Sequence, residues 1–153
     1  MCCGLKTHSD AIQAACAILG VIIGATGFWF TIDQLQSAST ALKAANAYTI
    51  QHDARELVAK VAPNIQKLDS GNLNAAEKRD VLIDFWQMLN FYLSVYRQAR
   101  ADGISPEFEA AFRADFCDWI SVPTRAAAWD ELRDGNKISD RHVAMREAWC
   151  AKK

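Results

Sequence analysis

Helix-breaking residues are scarce in this chain: 3 prolines and 7 glycines stand among 153 residues. That scarcity excludes a collagen-like repeat and a low-complexity disordered tail, which need far more of one or both. An excess of either charge is missing as well. The 17 basic side chains oppose 18 acidic ones, a formal net charge of -1, so there is no basic footprint for nucleic acid and no acidic excess to collect cations. Five cysteines without a repeated spacing do not make the framework of a disulfide-dense secreted knot. No stretch alternates apolar and polar residues with period two, so no strand is predicted. The glycine-rich nucleotide cradles and the GxSxG hydrolase elbow are absent too.

What is present is 51% hydrophobic residues, mostly at helical spacing, enough for one modest domain and an appendage. The appendage is at the front. From Ala11 to Ile32 no residue is charged, with Lys6 and Asp10 before the run and Asp33 after it. A helix of that length spans about 33 Å, the hydrocarbon thickness of a bilayer. Trp29, between Phe28 and Phe30, stands where an interfacial aromatic anchor belongs. The run therefore reads as a single transmembrane helix. A cleaved signal peptide ending near Ser37-Ala38-Ser39 would have a shorter apolar core and a more basic start than Lys6 alone. A buried helix of a soluble domain would be apolar on more faces than a domain of this size can cover.

Within the span, Gly20 and Gly24 form a GxxxG, which Ala17 and Gly27 extend at helical spacing. Small residues let two backbones approach in lipid, so this face is a candidate helix–helix interface. Cys2 and Cys3 lie just ahead of the span, where palmitoylation or two reduced thiols are the alternatives. Cys16 follows two alanines but lacks the apolar core of a lipoprotein signal.

Neither Gly nor Pro interrupts the chain between Phe28 and Ala62, and good helix formers fill it. The span is predicted to continue as a helical stalk, about 78 Å long from Ala11 to Ala62, ending at Pro63, which lacks an amide donor and clashes with the preceding turn. Its apolar stripe, Ile32, Leu35, Leu42, Ile50, Leu57 and Val61, is a broken, alanine-rich heptad. Either a second copy or the chain's own C-terminal helices must cover it.

Four shorter helices follow. Asn74 as N-cap with Glu77 three residues on opens the first, which runs to a glycine stop at Gly103. Its predicted core face is Val81, Phe85, Met88, Tyr92 and Val95, widened by Leu82, Trp86, Leu89, Leu93 and Tyr96. Ser105-Pro106-Glu107 starts the second, with Phe108, Phe112, Phe116, Trp119 and Ile120 inward. Pro123 begins the third, carrying Ala127, Ala128, Trp129 and Leu132 and stopped at Asp134-Gly135-Asn136. Ser139 or Asp140 caps the last, with Ile138, His142, Met145 and Trp149 as its stripe.

Two clusters bring together residue types that chemistry could use. Glu77, Asp80 and Asp84 share a helix face and could hold a cation, although acids near a helix start also suit the macrodipole. His142 with Cys117 and Cys150 would make a soft metal site, but no CxxC or HxxxH spacing supports it. A core imidazole and two apolar thiols is the economical reading, and a cysteine nucleophile lacks a third, orienting group.

The layout of QLQSASTALKAANAYTIQHDARELV followed by FWQMLNFYLSVYRQARADGIS resembles a loose group of uncharacterised bacterial single-span proteins with a helical domain of unknown function. The likeness covers about residues 28 to 120 and brings no catalytic residues. It implies a helical domain on the cytoplasmic side of a bacterial inner membrane, although the arginines usual at the stalk start of similar proteins are here reduced to Lys43 before Arg55. The charges flanking the span are too balanced to set its orientation. Were the domain on the oxidising side instead, Cys117 to Cys150 would be the disulfide to expect.

The expectation is thus an all-α protein: an N-terminal tail (1–10), a transmembrane helix (11–32), a helical stalk (33–62) and a helical domain (63–153) packing on the stalk. The bilayer and a second copy, or another membrane protein, are its expected partners. Ala17, Gly20, Gly24, Gly27, Leu35 and Leu42 are the candidate interface, with no catalytic residue, cofactor or metal ligand assigned. The expected role is non-enzymatic anchoring or scaffolding; an accessory subunit of a membrane complex and a small metal-dependent membrane enzyme are the alternatives.

Overall fold

The computed structural model describes residues 4–151, with side chains at residue 13 and from residue 15 onward. Cys2 and Cys3 lie outside the described residues. Five helices, α1 (Gly4–Ser70), α2 (Ala75–Arg100), α3 (Pro106–Ile120), α4 (Pro123–Asp134) and α5 (Asp140–Cys150), make an all-α chain with no strand among the described residues. The chain divides into two compact units, Met1–Leu42 and Lys43–Lys153.

In the first unit the described structure is helix alone. Its large apolar side chains point away from the helix on every side: Ile18, Val21, Phe28 and Trp29 are all more than half exposed. Thr26 and Thr31 turn their hydroxyls back onto the carbonyls of Ile22 and Gly27, both at 2.9 Å, which satisfies them without water.

The second unit packs the remainder of α1 with α2 to α5. The stalk stripe divides at this boundary. Leu35 and Leu42 stay exposed in the first unit, whereas Ile50 and Val61 are buried in the second, with Ile65 and Leu68 beyond them. The chain's own helices therefore cover the C-terminal part of the stripe. Lys43 pairs with Asp102 at 2.6 Å, and Asn46 donates to the Gly103 carbonyl at 2.8 Å.

Pro63 does not end α1, which continues to Ser70 with Pro63 inside it. Proline at this position removes the bond to the carbonyl of Ala59. Both residues are exposed, so water can take that bond, and burial of Ile65 and Leu68 holds the next turn in place. The helix ends instead at Gly71, whose φ of 72° suits a residue without a Cβ. Just before it, Asp69 accepts two bonds from Arg125, at 3.0 Å from Nε and 2.6 Å from Nη2. This fork-to-fork pair ties α1 to α4.

Helix α2 is the centre of the core, and it starts as its sequence predicts. Asn74 accepts from the amides of Ala76 and Glu77, and the Glu77 carboxylate accepts from the Asn74 amide in return. The glycine stop is different. Helix α2 ends at Arg100, and the left-handed residue after it is Asp102, with φ 56°, not Gly103. Aspartate tolerates that conformation better than most residues. Gly103 serves close approach instead: a Cβ there would lie 3.2 Å from the Gln98 carbonyl oxygen.

Val81, Phe85, Leu89 and Val95 are fully buried, and aromatic rings from α3 and α5 close over them. Phe85 stacks on Trp119 with centroids 4.9 Å apart, Tyr92 tilts against Phe116 at 5.0 Å, and Tyr96 meets Trp149 edge-on at 5.5 Å. Two of these rings have their polar ends satisfied: Tyr92 donates to Asp115 at 2.6 Å and Trp149 to Glu109 at 3.0 Å. Burial first, then that bond to Asp115, pushes the Tyr92 phenol far above its ordinary range. Ser105 caps α3 by accepting from the Phe108 amide, with Pro106 in its first turn. Cys117 of α3 and Cys150 of α5 are joined in a disulfide, Cα to Cα 5.5 Å.

Candidate functional site

The six interface candidates all belong to the first unit and all are exposed. At 3.6 residues per turn, Ala17, Gly20, Gly24, Gly27, Leu35 and Leu42 fall within about a quarter of the helix circumference. A Cβ added at Gly20, Gly24 or Gly27 would meet nothing within 4 Å. The small-residue patch is therefore followed along the same side of α1 by two uncovered leucines. Such a strip has the shape that a second helix can approach closely.

The acidic cluster does not converge. Asp84 accepts from Asn64 at 2.7 Å, Glu77 is taken up by the cap and by Lys67 at 3.5 Å, and Asp80 lies beside Arg79 at 3.9 Å. Each carboxylate faces its own partner, which is the arrangement of a solvated helix face. Glu56 approaches His52 at 3.8 Å, and Lys60 donates to Gln87 at 3.1 Å.

The disulfide uses both thiols, so Cys117 and Cys150 are neither metal ligands beside His142 nor the two apolar thiols that the sequence favours. His142 is 4% exposed. Its Nδ1 lies 3.3 Å from the Ser139 amide and 2.8 Å from the Ser139 hydroxyl. An amide can only donate, so Nδ1 is the unprotonated nitrogen and the proton of the neutral ring is on Nε2. Nε2 is buried without a partner. Burial, and secondarily the nearby Arg97 cation, hold the imidazole below its ordinary pKa of 6.5.

The linkage follows from that direction. A histidine depressed in the fold is neutral there, while the unfolded chain protonates near pH 6.5, so stability is complete above that pH and falls as the pH drops through the lowered folded value. The melting temperature is expected to decline as the pH falls below the ordinary imidazole value of 6.5. His142→Gln should flatten that part of the profile; an unchanged slope would assign it to other groups.

One feature escapes the helical pattern. Trp86, placed by its spacing on the widened core face of α2, is 40% exposed, and Ile83 one turn before it is 48% exposed. Together with Leu82 and Leu132 they line an apolar groove of about 400 Å³, at whose edge stand Arg79 and Lys137. The Trp86 indole N–H donates to the Lys137 carbonyl at 3.2 Å. A larger hollow of about 630 Å³ lies against the disulfide, walled by Trp129 and Arg146. There the Arg146 guanidinium stacks over the Trp129 ring at 4.9 Å. The exposure of Trp86 has no signal in the sequence, because the facing residues come from α4 and the loop after it.

No protein-family model, no curated protein and no solved structure matches this chain. Among the described residues, α1 alone is long and apolar enough to cross a membrane.

Proposed function

We propose that this chain is a single-pass, membrane-anchored helical scaffold or interaction protein that associates with copies of itself and performs no catalysis. The observation that carries the reading is the apolar run of α1, with a mean hydropathy of 2.0 and none of it buried by the rest of the chain. So large an uncovered apolar surface needs lipid or protein around it. The strip from Ala17 to Leu42 supports pairing through α1. The engagement of Glu77, Asp80 and Asp84 by separate partners, and of Cys117 by Cys150, favours a scaffold over a metal-dependent enzyme.

The helical domain belongs on the oxidising face of the membrane in this reading. Disulfides persist outside the reducing cytoplasm, and the bond between α3 and α5 outweighs the cytoplasmic placement implied by the family resemblance, whose arginines this chain lacks.

Carbonate extraction of membranes tests the anchor. The full chain is expected to stay in the pellet and a chain beginning at Lys43 to be released; release of the full chain, or its recovery cleaved after Ser39, overturns the anchor. The mass of the particle purified in mild detergent tests pairing. Two or more copies are expected, reduced to one by Gly20→Leu together with Gly24→Leu. A single copy at every concentration overturns self-association, and a stoichiometric foreign protein would make the chain an accessory subunit.

A further inference from the structure

We propose that the groove between α2 and the α4–α5 loop is a binding site for a small apolar anion, an aromatic or short alkyl body carrying one carboxylate or similar group. Among the described residues, all but two of the exposed large hydrophobic side chains belong to α1; the two are Ile83 and Trp86. Scattered exposed apolar residues need no explanation. These two are not scattered, because they sit one helical turn apart and line the same cavity with Leu82 and Leu132.

The indole is held in place before any ligand arrives. Its bond to the Lys137 carbonyl joins α2 to a loop 51 residues further along the chain and keeps the ring from swinging down to cover the leucines. An aromatic plane fixed at the wall of a groove offers a stacking surface at little entropic cost.

Charge selects the class of ligand. Of the six residues lining the groove, the two charged ones, Arg79 and Lys137, are both basic. Among the described residues Lys137 enters no ion pair, and Arg79 only approaches its neighbour Asp80 at 3.9 Å, with both side chains more than half exposed. In a chain of net charge -1, two cations beside an apolar floor leave an anion as the complementary group. Size selects a small molecule. A cavity of about 400 Å³ lies within the range of ligand pockets, whereas a stable protein interface needs about 20–30 residues on each side.

The test uses the full chain in nanodiscs of zwitterionic phosphatidylcholine, with empty nanodiscs as the blank for partition into lipid. The probes are 2-naphthoate and its uncharged amide, followed by the indole N–H resonance of Trp86, identified by its loss in Trp86→Phe. Saturable binding of naphthoate is expected, at least about tenfold tighter than the amide, an electrostatic margin of about 1.4 kcal/mol. Arg79→Gln with Lys137→Gln should erase that margin. Ile83→Glu should abolish binding while leaving the melting temperature unchanged, since Ile83 is outside the core. Equal affinity for acid and amide, binding that survives Ile83→Glu, or a Trp86 resonance moved only by an acidic helical peptide and not by naphthoate would each overturn the proposal.

Discussion

Replacing Cys117 and Cys150 together by serine is expected to lower the melting temperature of the helical domain by on the order of 10–20 °C. The two residues are 33 apart in sequence, and closing a loop of that size removes about 3–4 kcal/mol of chain entropy from the unfolded state. For a domain of this size each kcal/mol moves the midpoint by several degrees. The loop encloses all of α4 and α5, so opening it also frees α5 to withdraw Met145 and Trp149 from the core, where both are buried. Calorimetry of the full chain, with and without reductant, measures the effect. The reduced wild type should match the double serine variant, and a fall of less than a few degrees would mean that the packing of α3 on α5 suffices without the bond. The same pair reports topology. In intact cells both cysteines should resist a maleimide until a reductant is added; alkylation without it would put the domain back on the cytoplasmic side.

Phe85→Ala is the second large effect, expected to cost about 3–5 kcal/mol. Phe85 is fully buried, and its ring lies on Trp119 at 4.9 Å. The stacked partner is held in turn by Tyr92 at 5.7 Å and by the Arg125 guanidinium at 5.4 Å. Removing the phenyl leaves a hole walled by groups with other commitments: Tyr92 is hydrogen-bonded to Asp115, and Arg125 is forked onto Asp69. Collapse into the hole would break one of those bonds, which places the cost in the upper half of the range. A denaturant midpoint that drops with an unchanged slope is the expected signature. Trp86→Ala, nearly the same distance along α2 but at the surface, should cost about 1 kcal/mol or less.

The difference between Phe85 and Trp86 also shows where a sequence stops being informative. Both are aromatic, adjacent and compatible with the broad apolar face of α2, and the period of 3.6 assigns both to the core. Only the position of α4 and its following loop decides that one is sealed and the other forms the wall of a groove. Gly103 makes the same point through the backbone. A glycine after a helix reads as a left-handed stop, yet Asp102 takes that conformation, and at Gly103 a Cβ would meet the Gln98 carbonyl oxygen at a tight 3.2 Å and the Asn46 side chain at 3.4 Å. The second of those neighbours is supplied by α1, far away in sequence.

Pro63 misleads for a related reason. The rule that proline ends a helix compares one lost bond and one steric clash with the small gain of each further turn. Here the further turn carries Ile65 and Leu68 into the core and brings Asp69 to Arg125, contacts that local preference does not contain. The disulfide is a mixed case: the sequence names Cys117 and Cys150 as the pair to expect on the oxidising side, and the packing of α3 against α5 is what brings them together.

By itself the sequence determined the class of the fold, the existence of all five helices and most of their starts. Those features depend on neighbours within one turn: Asn74 with Glu77, Ser105 with Pro106, a run of residues without charge from Ala11 to Ile32. The side of α1 that carries Ala17, Gly20, Gly24 and Gly27 was legible for the same reason, as helical spacing alone sets it. Tertiary structure decided where the stalk stripe is covered, which aromatic stays outside, whether Cys117 and Cys150 are joined and how far α1 runs past its proline, because each of these depends on atoms brought together from distant parts of the chain.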